Sequence, residues 1–282
     1  MNKASEPASI RQLLAQATER LSSDTARLDA EVLLAHTLGK MRSHLHAWPE
    51  KILSAEQQLQ FQHLLQARIR GEPVAYLTGQ REFWSLPLGL TPATLIPRPE
   101  TETLVALALE VIPVNSTALI ADLGTGSGAI ALAVAHERPG CRLLATDISP
   151  AAIEIAAANA RQLGINNIEF HTGDWCKPLA GRQYDVIMSN PPYIRNTDPH
   201  LQSGDVRFEP RSALAAGPEG MDDLEKIARC AGHLLKAGGW LLMEHGYEQG
   251  KQAMQLLEAN GFQTVSDHAD EAGLSRVVMG QR

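Results

Sequence analysis

The chain has 282 residues, of which 44% are hydrophobic and 20% are charged, so it can bury a substantial core in more than one domain. Its formal net charge of −7 argues against direct nucleic-acid binding, because an acidic surface repels the phosphate backbone. The three cysteines, Cys141, Cys176 and Cys230, form no C-x-x-C pattern, which argues against a zinc site or a disulfide framework.

The N-terminus gives no sign of export. Residues Met1 to Pro7 contain no apolar signal core, and no run of 18 apolar residues occurs along the chain. With the unpaired cysteines, this pattern predicts a soluble protein in the reducing cytoplasm, with no membrane partner and no bound metal.

Residues 8 to about 71 predict a small bundle of amphipathic helices. Two of these helices begin with a capping-box pattern, at Ser9 to Gln12 and at Ser54 to Gln57. We therefore assign residues 1–75 to a helical domain.

Residues 76–97 are predicted to form a β-hairpin linker. Prolines and glycines between residues 72 and 100 exclude a long helix, and the partly alternating apolar residues from Phe83 to Leu90 favour two short strands. The segment is either a rigid linker or a binding loop.

Residues 98–282 predict a doubly wound α/β domain with a parallel sheet, because buried apolar strands alternate with helices. In such folds, ligands bind at the carboxyl ends of the strands. The predicted strands are 118–123, 141–146, 168–171, 184–189, 240–244, 262–266 and 274–279, and the predicted helices are 129–136, 150–163, 221–236 and 248–259.

A glycine-rich turn, Gly124-Thr125-Gly126-Ser127-Gly128, follows the first of these strands. It satisfies the dinucleotide fingerprint of dehydrogenases, but with the preceding Asp122-Leu123 it resembles motif I of class I methyltransferases more closely. Asp147 ends the next strand, where a carboxylate can bind two ribose hydroxyls. Trp175 is either a face on which adenine stacks or an ordinary core residue. We interpret this region as a site for S-adenosylmethionine (SAM).

The stretch Asn190-Pro191-Pro192-Tyr193 follows the fourth strand and lies at the same edge of the sheet. The Asn190 side-chain oxygen and the Pro191 carbonyl can accept both hydrogens of a planar NH2 group. Tyr193 can offer an aromatic face to that group. This pattern predicts methylation of an amide or of an aromatic amine.

Several stretches resemble the protein-(glutamine-N5) methyltransferases of the PrmC/HemK type. They include Ile96-Pro97-Arg98-Pro99-Glu100-Thr101-Glu102, Asn190 to Tyr193, and Arg207-Phe208-Glu209-Pro210-Arg211. The resemblance implies a class I SAM-dependent methyltransferase domain with a mostly parallel seven-stranded sheet, beside an N-terminal bundle that docks the protein substrate.

By this resemblance, the enzyme methylates the glutamine of the Gly-Gly-Gln motif in class I peptide chain release factors and yields S-adenosylhomocysteine. Residues 124–128, Asp147, Trp175 and Asn190 would contact SAM, and residues 190–193 would contact the glutamine. Three alternatives stay open: an adenine-N6 nucleic-acid methyltransferase, a non-catalytic SAM-binding protein that docks translation factors, and a dehydrogenase.

Overall fold

The computed structural model describes residues 8–282, and the chain divides after Gly79 into two compact units. The prediction that the N-terminus lacks a signal core concerns residues 1–7, which lie outside the described residues. Within residues 8–282, no helix is both long and apolar enough to cross a bilayer. The predicted hairpin lies in the second unit, Gln80–Arg282.

The N-terminal unit is helical, as predicted. Ser9 and Ser54 cap the first and fourth helices, and each accepts the backbone N–H of a glutamine that bonds back to the cap, at Gln12 and Gln57. Buried leucines, alanines and Phe61 form its core. The helices are α1 (Ile10–Arg20), α2 (Ala26–Leu38), α3 (Arg42–Ala47), α4 (Ala55–Ile69) and α5 (Val74–Thr78).

The C-terminal unit begins with an antiparallel hairpin of β1 (Gln80–Phe83) and β2 (Leu86–Gly89). Its two-residue turn, Trp84-Ser85, has φ values of +50° and +58°, the sense of backbone rotation that matches the twist of the paired strands. Asn159 fixes the end of β2, because its side chain accepts the Gly89 N–H and donates to the Gly89 carbonyl.

The rest of the C-terminal unit is built around a seven-stranded sheet. Its elements are α6 (Glu102–Val111), β3 (Leu119–Leu123), α7 (Ala129–Glu137), β4 (Arg142–Asp147), α8 (Pro150–Leu163), β5 (Ile168–Thr172), β6 (Tyr184–Ser189), α9 (Asp222–Leu234), β7 (Leu235–Glu244), α10 (Gly250–Ala259), β8 (Gln263–Ala269) and β9 (Ser275–Gln281). The strand order in the sheet is β5-β4-β3-β6-β7-β9-β8. Strands β3 to β7 pair in parallel, and β9 pairs antiparallel to both β7 and β8.

Helices cover both faces of this sheet, which confirms the doubly wound α/β fold. Alternate residues of each central strand enter different cores: Ile120 packs with α6 and α7, whereas Ala121 packs with α9 and α10. Such strands are buried on both faces, and this is why they appear in the sequence as continuous apolar runs.

Two short helices, α3 and α5, were not predicted. Neither has a side-chain cap, and each is at most six residues long, so neither carries the helical periodicity on which the prediction depended. Strand β7 begins at Leu235, five residues before the predicted start, and includes Gly238 and Gly239. Leu235 pairs with Tyr184 of β6, and Gly238 and Gly239 form backbone hydrogen bonds with Arg282, just beyond β9. These contacts override the weak strand propensity of the segment.

The expectation of three unpaired cysteines is wrong. Cys176 and Cys230 are joined by a disulfide with a Cα–Cα distance of 6.2 Å, and Cys141 is a buried free thiol. The two partners are 54 residues apart in sequence, but both pack in the core beneath α9. Their proximity is a property of the fold and leaves no spacing signal in the sequence.

Candidate active site

The loops that carry the predicted site residues meet at one edge of the sheet. Strand β3 pairs with β4 on one side and with β6 on the other, so the chain reverses its winding there, and ligands of open α/β sheets bind at this point. A cavity of about 310 Å³ lies at this edge, a size typical of small-molecule sites. Loops after β3, β4, β5 and β6 all contribute to its lining.

The glycine turn after β3 is held from beneath by a buried carboxyl group. The Thr125 hydroxyl donates to Asp122 Oδ2 at 2.6 Å. Burial raises the pKa of Asp122 to about 7, and its other oxygen, Oδ1, has no hydrogen-bond partner of good geometry among residues 8–282. Gly124, Gly126 and Gly128 all have positive φ, between +57° and +87°, which only glycine adopts readily. The turn can therefore bring backbone N–H groups close to a ligand.

Asp147 ends β4 and is fixed in the wall of the cavity. Its Oδ2 accepts the Gly126 N–H and its Oδ1 accepts the Ser149 N–H, both at 2.9 Å. A carboxylate oxygen can accept more than one hydrogen bond, so Asp147 retains capacity for the hydroxyls of a ribose. Ser127 also lines the cavity, and its carbonyl accepts the Asn159 side chain at 2.9 Å.

Trp175 lines the cavity with a ring that lies against Gly124. Its φ of +44° is a conformation that bulky residues seldom adopt, and such strain is typical of functional sites. The ring is half-buried and also packs on the core beneath α9. Trp175 therefore combines the two interpretations offered by the sequence, since it is part of the core and also exposes a surface to the cavity.

The residues after β6 separate into two groups. Asn190 and Pro192 line the cavity, whereas Pro191 is buried outside the lining and Tyr193 turns away from it. Asn190 Nδ2 donates to Thr101 Oγ1 at 3.1 Å, which leaves Oδ1 as the amide's acceptor. The Tyr193 hydroxyl donates to Glu244 Oε1 at 3.1 Å, and burial beside this carboxyl raises the Tyr193 pKa.

The structure adds Glu209 to the site, a residue to which the sequence assigned no role. Its buried carboxylate accepts the Ile96 N–H at 3.0 Å and the Arg98 guanidinium. It thereby joins the two stretches that stand out in the sequence, residues 96–102 and 207–211, and both contribute to the cavity lining. The presence of both stretches in one sequence was a signal for this site. The bond between Glu209 and Ile96 could not be predicted, because the two residues are more than a hundred positions apart.

Glu244 is the second residue that sequence reasoning missed. It ends β7, the neighbour of β6, and is fully buried. An acidic residue at the end of an apolar strand, Leu241-Leu242-Met243-Glu244, is the same signal that identified Asp147. Applied to every strand, this signal would have found Glu244.

These features fit SAM. The glycine turn, the Asp147 carboxylate and the Trp175 ring offer the backbone donors, hydroxyl acceptor and aromatic face that an adenosine needs. Within residues 8–282, no cluster of three His, Cys, Asp or Glu residues could hold a metal ion.

The methyltransferase fold is shared with solved structures of low sequence identity. A methyltransferase from Pyrococcus furiosus aligns with a TM-score of 0.53 at 18% identity, over 77% of this chain and 96% of that chain. The catalytic domain of hMettl16 aligns with a TM-score of 0.57 at 14% identity, over 82% of this chain and 83% of that chain. At these identities, the likeness concerns the fold alone.

Sequence comparison is more specific. Residues 12–79 match the family model of the PrmC N-terminal domain, and residues 102–205 match that of the methyltransferase small domain. The release factor glutamine methyltransferase of Vibrio cholerae is 50% identical over 272 residues, which cover 95% of each chain. That of Escherichia coli is 48% identical over 260 residues, which cover 92% of this chain and 94% of the relative. The chain therefore belongs to the family of release factor glutamine methyltransferases.

Proposed function

We propose that this protein transfers a methyl group from SAM to the side-chain amide nitrogen of the glutamine in the Gly-Gly-Gln motif of class I peptide chain release factors. The names of relatives that are about half identical over nearly the full chain support this acceptor. The observation that carries the proposal is the Asn190 amide, whose Nδ2 is bonded to Thr101 and whose Oδ1 is left to accept a donor in the cavity. A cytoplasmic location is part of the proposal, since translation takes place there.

SAM would lie along the carboxyl edge of the central strands. Residues 124–128 would bind it through backbone groups, Asp147 through the ribose hydroxyls, and Trp175 through the adenine ring, while Asn190 would lie at the reacting end. When bound, SAM supplies an electrophilic methyl group on a sulfonium and departs as S-adenosylhomocysteine.

The chain's own contribution is to orient a poor nucleophile. An amide nitrogen reacts slowly because its lone pair is delocalised into the carbonyl group. Asn190 Oδ1 would accept one of its hydrogens in the cavity. Pro191 does not line the cavity without substrate, so its carbonyl would accept the other hydrogen only once the substrate amide has entered. The two bonds would fix the nitrogen in line with the methyl group and favour the positive charge that develops on it. Thr101 holds the Asn190 side chain for this task.

Tyr193 would act differently from the sequence-based prediction. Its hydroxyl bonds to Glu244 and its ring packs on the core beneath α9, so we assign it to the support of the loop after β6. The helical N-terminal unit, which matches the PrmC N-terminal domain, would dock the release factor.

Incubation of the purified protein with isotopically labelled SAM and a release factor tests the proposal. Mass spectrometry should find one added methyl group on the glutamine of the Gly-Gly-Gln peptide. Asn190→Ala should lower the transfer rate at least about 100-fold while SAM affinity stays near the wild-type value. Asn196→Ala is a matched control, because the Asn196 side chain is exposed and makes no hydrogen bond in the structure.

Two other results would point elsewhere. Transfer of label to DNA or RNA but not to the release factor would identify an adenine methyltransferase. A stable complex with the release factor and no transfer would identify a docking protein that binds SAM without using it.

A further inference from the structure

A network of buried residues extends from Asn190, in the wall of the cavity, through Thr101 in the same wall to Glu244, which lies outside the lining. In the parallel ladder of β6 and β7, Ser189 is in register with Met243, so Asn190 and Glu244 each lie one residue beyond the same pair. Thr101, just before α6, accepts Asn190 Nδ2 at 3.1 Å, and its hydroxyl is close enough to the Glu244 carboxyl to favour the charged form of that group. Thr101 is 4% exposed and Glu244 is 0% exposed.

The Glu244 carboxyl has unused capacity as an acceptor. Its Oε1 accepts the Tyr193 hydroxyl, whereas Oε2 has no hydrogen-bond partner of good geometry within residues 8–282. A buried carboxyl oxygen without a donor is costly, and the nearby hydroxyl of Thr101 is the donor that can relieve this cost. Burial raises the pKa of Glu244 to about 7, and the Thr101 and Tyr193 hydroxyls act in the opposite direction.

The single proton of the Thr101 hydroxyl then determines which group donates and which accepts in each hydrogen bond of the network. Thr101 has one proton to donate and two lone pairs with which to accept. If the proton points to Glu244, Thr101 can only accept from Asn190, and the amide must present Nδ2 to it. If the proton pointed to Asn190, the amide would turn over and its NH2 group would face the cavity. The ionised Glu244 carboxylate, which can only accept, therefore selects the amide orientation that leaves Oδ1 available.

We propose that Thr101 and Glu244 are positioning residues that hold the Asn190 side-chain amide with its oxygen toward the cavity. The inference rests on the proposed function, in which this oxygen accepts a hydrogen of the substrate amide. Neither residue needs to touch the reacting nitrogen. Both act through Asn190, so their loss should lower the rate of transfer more than the affinity for either substrate.

The kinetic test compares substitutions that remove a hydrogen-bonding group but keep the volume. Thr101→Val and Glu244→Met should each lower kcat at least about tenfold, with SAM affinity and the KM for the release factor within about twofold of wild type. Thr101→Ser keeps the hydroxyl and should recover most of the rate. Thr37→Val is the control: Thr37 is also buried, but its hydroxyl donates to the Leu33 carbonyl within α2.

A second measurement needs no release factor, so it separates this inference from the proposed function. In wild-type protein, hydrogen exchange of the Asn190 side-chain NH2 group, followed by NMR, should be slowed by the bond to Thr101. In Thr101→Val it should be fast, and in Thr101→Ser slow again. Fast exchange in the wild type overturns the inference, whether or not the substituted proteins fold.

The kinetic results are equally decisive for variants that fold. A kcat for Thr101→Val within twofold of wild type refutes the positioning roles. So does a loss that appears only in KM or SAM affinity, because that result indicates a structural effect on the pocket. If Thr101→Val does not fold, Glu244→Met is judged by the same criteria.

Discussion

The ring of Trp175 lies directly against Gly124. A Cβ atom added at Gly124 would be 3.1 Å from Trp175 Cζ3 and 3.6 Å from Cη2. Gly124 also has a φ of +72°, so two separate constraints favour glycine at this position. The turn and the aromatic wall of the cavity therefore form one packed unit, although 51 residues separate them in sequence.

Gly124→Ala should weaken SAM binding at least about tenfold, because the added methyl group displaces the Trp175 ring and strains the turn. Isothermal titration with SAM measures the effect. Gly164→Ala is the control: Gly164 has a similar φ of +69° at the end of α8, but nothing lies within 4 Å of its added Cβ. It should lose about 1 kcal/mol of stability and bind SAM normally. If Gly124→Ala and Gly164→Ala bind SAM with equal affinity, the contact between Gly124 and Trp175 does not contribute to SAM binding.

The sequence was sufficient for the elements whose signal is local. Each of the seven sheet strands is either a run of apolar residues or a segment that ends at a turn or at an acidic residue. Their positions could therefore be predicted within a few residues. Strand β7 shows the limit, because Lys236 to Gly239 have weak strand propensity. The segment is held by the pairing of Leu235 with Tyr184 and by backbone hydrogen bonds of Gly238 and Gly239 to Arg282. The short helices α3 and α5 likewise depend on tertiary packing.

The same limit applies to the site. The glycine turn, Asp147 and the stretch after β6 were identified because each motif is contiguous and follows a strand. Contacts between distant segments leave no such pattern: Asn190 and Thr101 are 89 residues apart, and Glu209 and Ile96 are 113 apart. A motif predicts which residues bind, but the contacts through which other residues orient them become visible only in the fold.

Glu209→Gln should destabilise the protein by about 2 to 4 kcal/mol, because the new NH2 group would face the Ile96 N–H or the Arg98 guanidinium in a buried position. It should also raise the KM for the release factor, since the two stretches that Glu209 joins line the cavity. Urea unfolding and steady-state kinetics provide the measurements. Glu169→Gln removes one partner of an exposed ion pair with Arg182 and should change neither quantity. Wild-type stability in Glu209→Gln would contradict the importance of this bond.

The disulfide predicts a pattern of thiol reactivity. Protein purified without reductant and alkylated after denaturation should carry one label, on Cys141, whereas reduction beforehand should give three. Cys230→Ser should carry two labels without reductant. It should also lose stability, by about 3 to 5 kcal/mol in the chain-entropy model for a loop of this length. Three labels on unreduced wild-type protein would mean that the bond does not form in solution.

Asp122 should make stability fall as pH rises toward neutrality. Burial raises its pKa from the ordinary 3.8 to about 7, so between these values the folded protein keeps a proton that the unfolded chain has lost. The folded state binds more protons there, and the free energy of unfolding decreases with pH until about 7 and then levels off.

Asp122→Asn keeps an acceptor for Thr125 and cannot ionise. Urea unfolding of both proteins at intervals between pH 4.5 and 8 should therefore show wild type losing its advantage over the variant as pH rises. Subtraction of the two curves removes the contribution of Glu244, whose pKa is also raised to about 7. Parallel curves for Asp122→Asn and wild type would show that Asp122 ionises normally in the folded protein.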